Sequence, residues 1–398
     1  MVPELRKAYN QNFTQEKYQA FLQELHSYYP GQLEFRVAET PVFVPNDFTR
    51  KLISTCEDII DIIFASDYYQ KSDKAIPKDL WVPNQDDHPH FICFDFGVCK
   101  NEYGEIEPQL IEMQGFPSLF TYEVLYTEVS AKHFDLPYNY SDYLNGFDKE
   151  SYLKLLRQII IGDSDPGNVI LLEVFPHMQK TRIDFYCAGK YLGIKTVDLN
   201  DIIKEGRKLY YNNDGKRTEI KRIYNRLIFD DLLQQSREVQ EKGKILQEEL
   251  DVEWIPHPNW FYRISKYSLP FIKHPYVPDT RFLNELTAIP EHLENYVVKP
   301  LFSFAGQGVI IDVRKEDIEK IKDSENWIIQ RKVDYAAVIE TPDEAAKVEI
   351  RIFYFWKKDA PRPIATNNLA RLSKGKMIGV RYNKDREWVG SSYALFEK

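Results

Sequence analysis

The stretch "NVILLEVF", residues 168–175, constrains the fold most. A short, nearly unbroken apolar run predicts a strand covered on both faces, as in a sheet with helices on either side. "YLGIKTVDL" and "IKRIYNRLIF" repeat the pattern, with helical stretches between and after them. Residues 161–253 are therefore expected to form a small α/β layer domain. Upstream, "FTRKLISTCEDIIDIIFAS" places apolar residues at helical spacing, and helical signals return up to about residue 160. From Trp254 onward strands and short helices alternate, and "TPDEAAK", 341–347, reads as a surface turn or short helix. The expected organisation is 1–160, 161–253 and 254–398, which suits a chain of 398 residues.

The formal net charge of −9 argues against a general nucleic-acid or anionic-membrane surface and leaves room for one local basic cleft. Cys56, Cys93, Cys99 and Cys187 form no CxxC pair, which suits reduced thiols in a cytoplasm. No apolar stretch approaches the roughly 18 residues that a membrane helix needs. "MVPELRKAYNQNF" has no apolar signal-peptide core. A cytoplasmic protein without nucleic-acid or membrane partners is expected.

"HFICFDFGVCKNEYGEIEPQLIEMQGFP" reads as two strands around Tyr103-Gly104. Asp95 and Glu112 are equidistant from that turn and would face each other across the pair. Gln114, two residues after Glu112, projects from the same face. Two carboxylates and an amide carbonyl form the oxygen-only set that suits Mg²⁺. A hairpin with a solvated face would also carry acids, but here both acids sit inside apolar runs. Pro108 confines its strand to a sheet edge or a bulge. His88 and His90, with no third nitrogen or sulfur ligand near in sequence, read as a solvated loop rather than a metal pair.

"YVVKPLFSFAGQGVIIDV", residues 296–313, sets Lys299 in an apolar run before a loop with Gly306 and Gly308. Read as strand–loop–strand, its N–H groups can form a concavity for phosphate oxygens. No GK[ST] follows, so it is not a Walker loop. A glycine hairpin with a snorkelling lysine is the plainer alternative. Lys266 in "WFYRISKYSLPFIK", the strand "WIIQRKVDYA" and the later arginines Arg351 and Arg371 favour a nucleotide cleft.

The order of these pieces resembles the circularly permuted ATP-grasp ligases, and among them the synthetase domain of glutathionylspermidine synthetase. The family's RxD strand and its "LLEYNADTP"-like strand are similar to "CFDFGVCKNEYGEIEPQLIEMQGFPS". Its "NKAILPVL…HPYLLDT" segment resembles "SKYSLPFIKHPYVPDT", and its "VKPxxGRxGxxV" loop resembles "VKPLFSFAGQGVII". "IYQQ" is similar to "WIIQRK", a late arginine to the one in "NLARLSKG", and "DG…IDxxYxR" to "NNDGKRTEIKRIYNRLIFDDL". The likeness runs from about residue 90 to the end. The chain departs from it at Cys93, where the family has arginine, and at Gln114, where it has asparagine. It also lacks a basic residue in the loop and has no sign of a cysteine amidase domain.

The resemblance implies an α/β ATP-grasp fold, circularly permuted, with an inserted pre-ATP-grasp-like domain. It implies ATP-dependent joining of a small-molecule carboxylate to an amine through an acyl-phosphate, releasing ADP and phosphate. Asp95, Glu112 and Gln114 would hold Mg²⁺. Lys266, Lys299 and the loop of Ser303, Ala305, Gly306, Gln307 and Gly308 would hold the ATP phosphates, with Gln330 at the adenine. Arg371 would stabilise the transferring phosphoryl group. Arg226 could fork a substrate carboxylate or pair with Asp230 or another acid, and Arg351 carries the same ambiguity, with Glu349 on its own face as an obvious partner. A non-catalytic ATP-binding protein and a small-molecule kinase on the same fold are the other readings.

Overall fold

The structure is a computed structural model that describes residues 1–65, 67–303, 306–376, 378 and 383–398. Its centre is a five-stranded antiparallel sheet, in the order Gly390–Ser392, Ile364–Ser373, Lys347–Phe355, Phe91–Lys100, Ile106–Gln114. The hairpin read from the sequence forms its edge, with Asp95 opposite Glu112 and Pro108 on the outermost strand. That edge is covered. Leu110 N donates to the Tyr276 carbonyl at 2.8 Å and Gly115 N to that of Ile264 at 2.8 Å, so the 264–276 segment pairs where a further strand would otherwise add. Between Asp95 and Phe96 the register shifts by one, leaving Ile111 without a partner across the ladder.

Val169–Glu173, inside the apolar run, is buried throughout and lies within a parallel sheet ordered Glu253–Ile255, Arg222–Asn225, Val169–Glu173, Lys195–Asp198. Helices Lys149–Ile160 and Arg182–Leu192 bury Leu156, Ile160, Ile183 and Leu192 in the same core as Val169 and Leu171. The other helices follow the spacing of their apolar residues. Asn46–Ile63 buries Phe48, Leu52, Cys56, Ile59, Ile60 and Ile63, one stripe of an amphipathic helix. No helix among the described residues is long and apolar enough to cross a membrane.

A third sheet carries the lysine strand, in the order Thr280–Phe282, Trp327–Arg331, Tyr296–Pro300. Leu283, Val298, Val313 and Ile329 form a small separate core there. Since side chains alternate across a strand, Lys299, Gln330 and Thr280 occupy the opposite face. The second apolar run of 296–313 forms only a single bridge, Val298 with Ile310, and not the expected strand. Gly306 and Gly308, at φ of 72° and 74°, make the turn into it. Both ends of the chain meet in one small sheet, where Val42–Val44 runs parallel to Ala394–Glu397.

The Ile106–Gln114 strand ends where it must pass close to the Asn259–Arg263 helix. A Cβ at Gly115 would lie 2.6 Å from the Trp260 carbonyl oxygen and 3.0 Å from the Ile264 Cβ. Gly115→Ala should therefore lose about 1–3 kcal/mol of stability, the usual range for overpacking. Urea denaturation measures this, and an unchanged midpoint would show that the contact yields.

Candidate functional site

The face of the central sheet that carries Asp95 is a charged layer in an otherwise apolar interior. Asp95 is 0% exposed. Its Oδ1 accepts from Arg351 Nε at 2.6 Å, and its Oδ2 from Arg351 Nη2 at 2.6 Å and Arg371 Nη2 at 3.1 Å. The fork follows from the register, since Arg351 is the direct cross-strand neighbour of Asp95. The same Nη2 of Arg371 donates to Glu349 Oε2 at 3.0 Å, and Tyr335 OH donates to the other oxygen of Glu349. Burial pushes the Glu349 carboxyl up, and Arg371 opposes the shift. Burial lowers the affinity of both guanidinium groups for their protons, but their acidic neighbours reverse this and hold them firmly charged.

Arg351, whose role the sequence leaves open, pairs with Asp95. Asp95, expected to bind a metal, has both oxygens in contact with guanidinium groups.

Glu112 and Gln114 keep the shared face foreseen for them, and Gln114 Nε2 donates to Glu112 Oε1 at 2.9 Å. The Lys266 Nζ lies 3.5 Å from Glu112 Oε2 and donates to the Ser303 carbonyl at 2.7 Å. Lys266 opens a short 3₁₀ helix held by reciprocal bonds between Ser265 and Ser268, which fixes where its side chain starts. Burial alone would raise the Glu112 carboxyl, but Lys266 first, then Arg371, Lys299 and Arg351, hold it well below the usual range.

Lys299 is buried beside them. Its Nζ donates to the Ile111 carbonyl at 3.1 Å and to Gln330 Oε1 at 2.6 Å. The bulge at Ile111 thus has a use, since the residue without a ladder partner offers its carbonyl to the lysine. Gln330 in turn donates to Thr280 Oγ1 at 3.0 Å. Its side chain is a buried link between Lys299 and Thr280. Ser303 lines the site, Gly308 lies against Pro300 and Trp327, and Ala305 lies outside the described residues.

Beside Glu112 and Lys266 opens a cavity of about 130 Å³, with Phe116, Phe261 and Phe302 on its apolar side and Ser118, Arg226 and Ser303 on its polar side. Arg226 lies 5.0 Å above the Phe116 ring and donates to the Pro117 carbonyl at 2.6 Å. Its Nε is buried without a hydrogen-bond partner, as are Ser303 Oγ and Arg371 Nε. Asp230 is not shown paired with Arg226, and its Oδ2 is also buried without a partner. Such groups are uncommon in folded chains and mark places where a polar ligand or water belongs. His88 and His90 are packed rather than solvated: His88 stacks on Trp356 at 4.2 Å, and His90 is buried 3.2 Å from Asp86.

The arrangement can bind an anion. Asp95, Glu112 and Glu349 supply three negative charges and Arg351, Arg371, Lys266 and Lys299 four positive ones, leaving one positive charge in a poorly hydrated place. Glu112 and the Gln114 carbonyl could also offer oxygens to a cation. Tyr335, Thr280 and the Asp95–Arg351 pairing were not foreseen. The pairing becomes readable only once 347–355 is known to lie beside 91–100.

No family model matches the chain, and no curated protein does. Among solved structures, the chain is similar to a glutathione synthetase-like effector from Globodera pallida, in its apo form. The TM-score is 0.57 at 11% identity, over 97% of this chain and 98% of that one. At that identity the likeness is one of fold: a mixed α/β architecture of several sheets, arranged like that of a glutathione synthetase-like protein.

Lys299 supplies a test of the charge balance. Burial, with Lys266 adding to it, pulls its pKa down to about 8 against the attraction of Glu112. An unfolded lysine holds its proton to about pH 10.4. Between these values the unfolded chain carries the extra proton, so Lys299 destabilises the fold below about pH 8 and the penalty fades as pH rises. The stability of the wild type relative to Lys299→Met should therefore climb from pH 8 to pH 10 in urea denaturation. Parallel curves would contradict the depressed pKa.

Proposed function

We propose that this protein is an ATP-dependent ligase that joins a small-molecule carboxylate to an amine, on an ATP-grasp fold of the circularly permuted kind. The observation that carries the reading is the convergence of Lys266 and Lys299, from separate segments, on the end of one strand: Lys266 on Glu112 and the Ser303 carbonyl, Lys299 on the neighbouring Ile111 carbonyl. A triphosphate needs concentrated positive charge and backbone donors more than covalent help from the protein.

ATP is a substrate in this reading. Lys266 and Lys299 neutralise its phosphates, the backbone at Ser303 lies against them, and Arg371 faces the transferring group. Glu112 and Gln114 fit a magnesium ion, which takes one or two protein oxygens and completes its shell with phosphate and water. Asp95 does not fit, because guanidinium groups hold both of its oxygens. When bound, the ion neutralises charge on the phosphates. The acid lies in the cavity lined by Phe116 and Arg226, and Arg226 offers its unpartnered Nε to a carboxylate. A carboxylate oxygen attacks the γ-phosphorus and ADP leaves. The amine then attacks the acyl carbon, phosphate leaves, and the nitrogen gives up a proton.

A second reading, nucleotide binding without turnover, is favoured by one observation. Asp95 is tied into an arginine pair and Cys93 is buried beside it, so the strand that would complete a metal site in the resembling family offers no free oxygen.

The two are separated by following ADP release from ATP across mixtures of small acids and amines. The ligase reading expects release that needs both components, and a hydroxamate when hydroxylamine replaces the amine. ATP bound without ADP release in any mixture would favour the second reading, and a stable phosphorylated acid would indicate a kinase. Once a substrate pair is in hand, Lys266→Met should lower turnover by about 10²-fold or more, as loss of a charge-stabilising donor does elsewhere. Its denaturation midpoint should hold, and full activity in a folded variant would remove Lys266 from the site.

A further inference from the structure

We propose that Asp95 is a positioning residue for Arg351 and Arg371 and is not a metal ligand, so that Glu112 and Gln114 alone provide protein oxygens for a magnesium ion. The inference deepens the nucleotide reading above and rests on it for the ligand. Asp95 is fully buried, and every contact of its carboxylate is a guanidinium N–H. The geometry is set by the sheet. Arg351 sits directly across from Asp95 on one side and Glu112 on the other, so the fork is closed by backbone register.

A metal at Asp95 would have only the remaining acceptor position of a carboxylate that is 0% exposed, against the like charge of two guanidinium groups. Glu112 is different, being 22% exposed and held by an amide and an ammonium that a ligand can draw away. Because the Gln114 amide nitrogen is turned to Glu112, its carbonyl oxygen carries no part of that bond.

The role left to Asp95 lies in the chain Tyr335–Glu349–Arg371–Asp95–Arg351. Arg371 is anchored at Nη2 by two carboxylates, which fixes the plane of its guanidinium and leaves Nε buried and unpartnered. Without Asp95, Arg371 keeps one anchor and Arg351 loses its partner.

Calorimetric titration with a non-hydrolysable ATP analogue, with and without Mg²⁺, tests this in the wild type, Asp95→Asn and Glu112→Gln. The Mg²⁺-induced gain in affinity should stay within about twofold of the wild type in Asp95→Asn, whose overall affinity falls about tenfold as Arg371 loses its anchor. Glu112→Gln should lose the gain. If Asp95→Asn loses it as Glu112→Gln does, Asp95 is a ligand and the proposal fails. Should Asp95→Asn not fold, the double variant Asp95→Asn with Arg351→Met removes the carboxylate together with its buried partner and answers the same question. A wild type that binds no analogue under either condition overturns the nucleotide reading. The positioning role is then judged by a denaturation cycle of Asp95→Asn and Arg371→Met. Coupling of about tenfold or more in the folding constant supports it, and additive effects overturn it.

Discussion

A buried carboxylate with no access to water needs donors or cations close around it, and Asp95 is in that position. The guanidinium of Arg351 meets it across the strand pair and that of Arg371 from one strand further. This requirement ties chain segments far apart in sequence, 91–100, 347–355 and 364–373, into one register. A slip of one residue would turn every charge on this face to the other side of the sheet. The charged layer therefore specifies the sheet as much as the aromatic core around Phe91, Phe120, Phe353 and Phe355 stabilises it.

The surplus of positive charge in that layer sits within a chain of net charge −9. At long range the protein repels anions, so electrostatic steering does not assist their arrival. At short range Lys299 pays for its burial with a pKa drawn down to about 8. An arriving anion would restore the missing counter-charge, and its binding energy would come from relief of that local imbalance. Selectivity then rests on shape and on the donors left unpartnered at Arg226, Ser303 and Arg371.

The elements most legible in the sequence were those whose signal is local. The run around Val169 declares a strand buried on both faces by itself, and the turn at 103–104 brings Asp95 and Glu112 near each other, although only the bulge at Ile111 sets them directly opposite. Partners set by neighbouring strands were not legible. Glu349 is two residues from Arg351, which invites pairing, but at a rise of roughly 3.3 Å per residue the two lie about 6.6 Å apart along the strand. A residue directly across a ladder is only about 4.5–5.5 Å away, and Asp95 takes that place. The bonds of the Gln330 side chain were not legible for the same reason, because the strands on both sides of it determine what its amide can reach. The bulge at Ile111 gave no sequence signal, yet it supplies the carbonyl that holds Lys299.

The departure at Cys93 gains meaning from this geometry. The RxD pattern of the resembling family puts an arginine and an aspartate on one strand, two residues apart, and therefore on one face. Here that face carries Cys93 and Asp95, with Phe353 opposite the cysteine and Arg351 opposite the aspartate. A guanidinium accompanies the aspartate in both patterns, but here it comes from the neighbouring strand. From the same strand it would stand beside the carboxylate. From across the ladder it closes on both carboxylate oxygens in a fork. Three N–H groups thereby take three of the roughly four acceptor positions of the Asp95 carboxylate. What Asp95 can do chemically is thus decided by the strand from which its arginine comes.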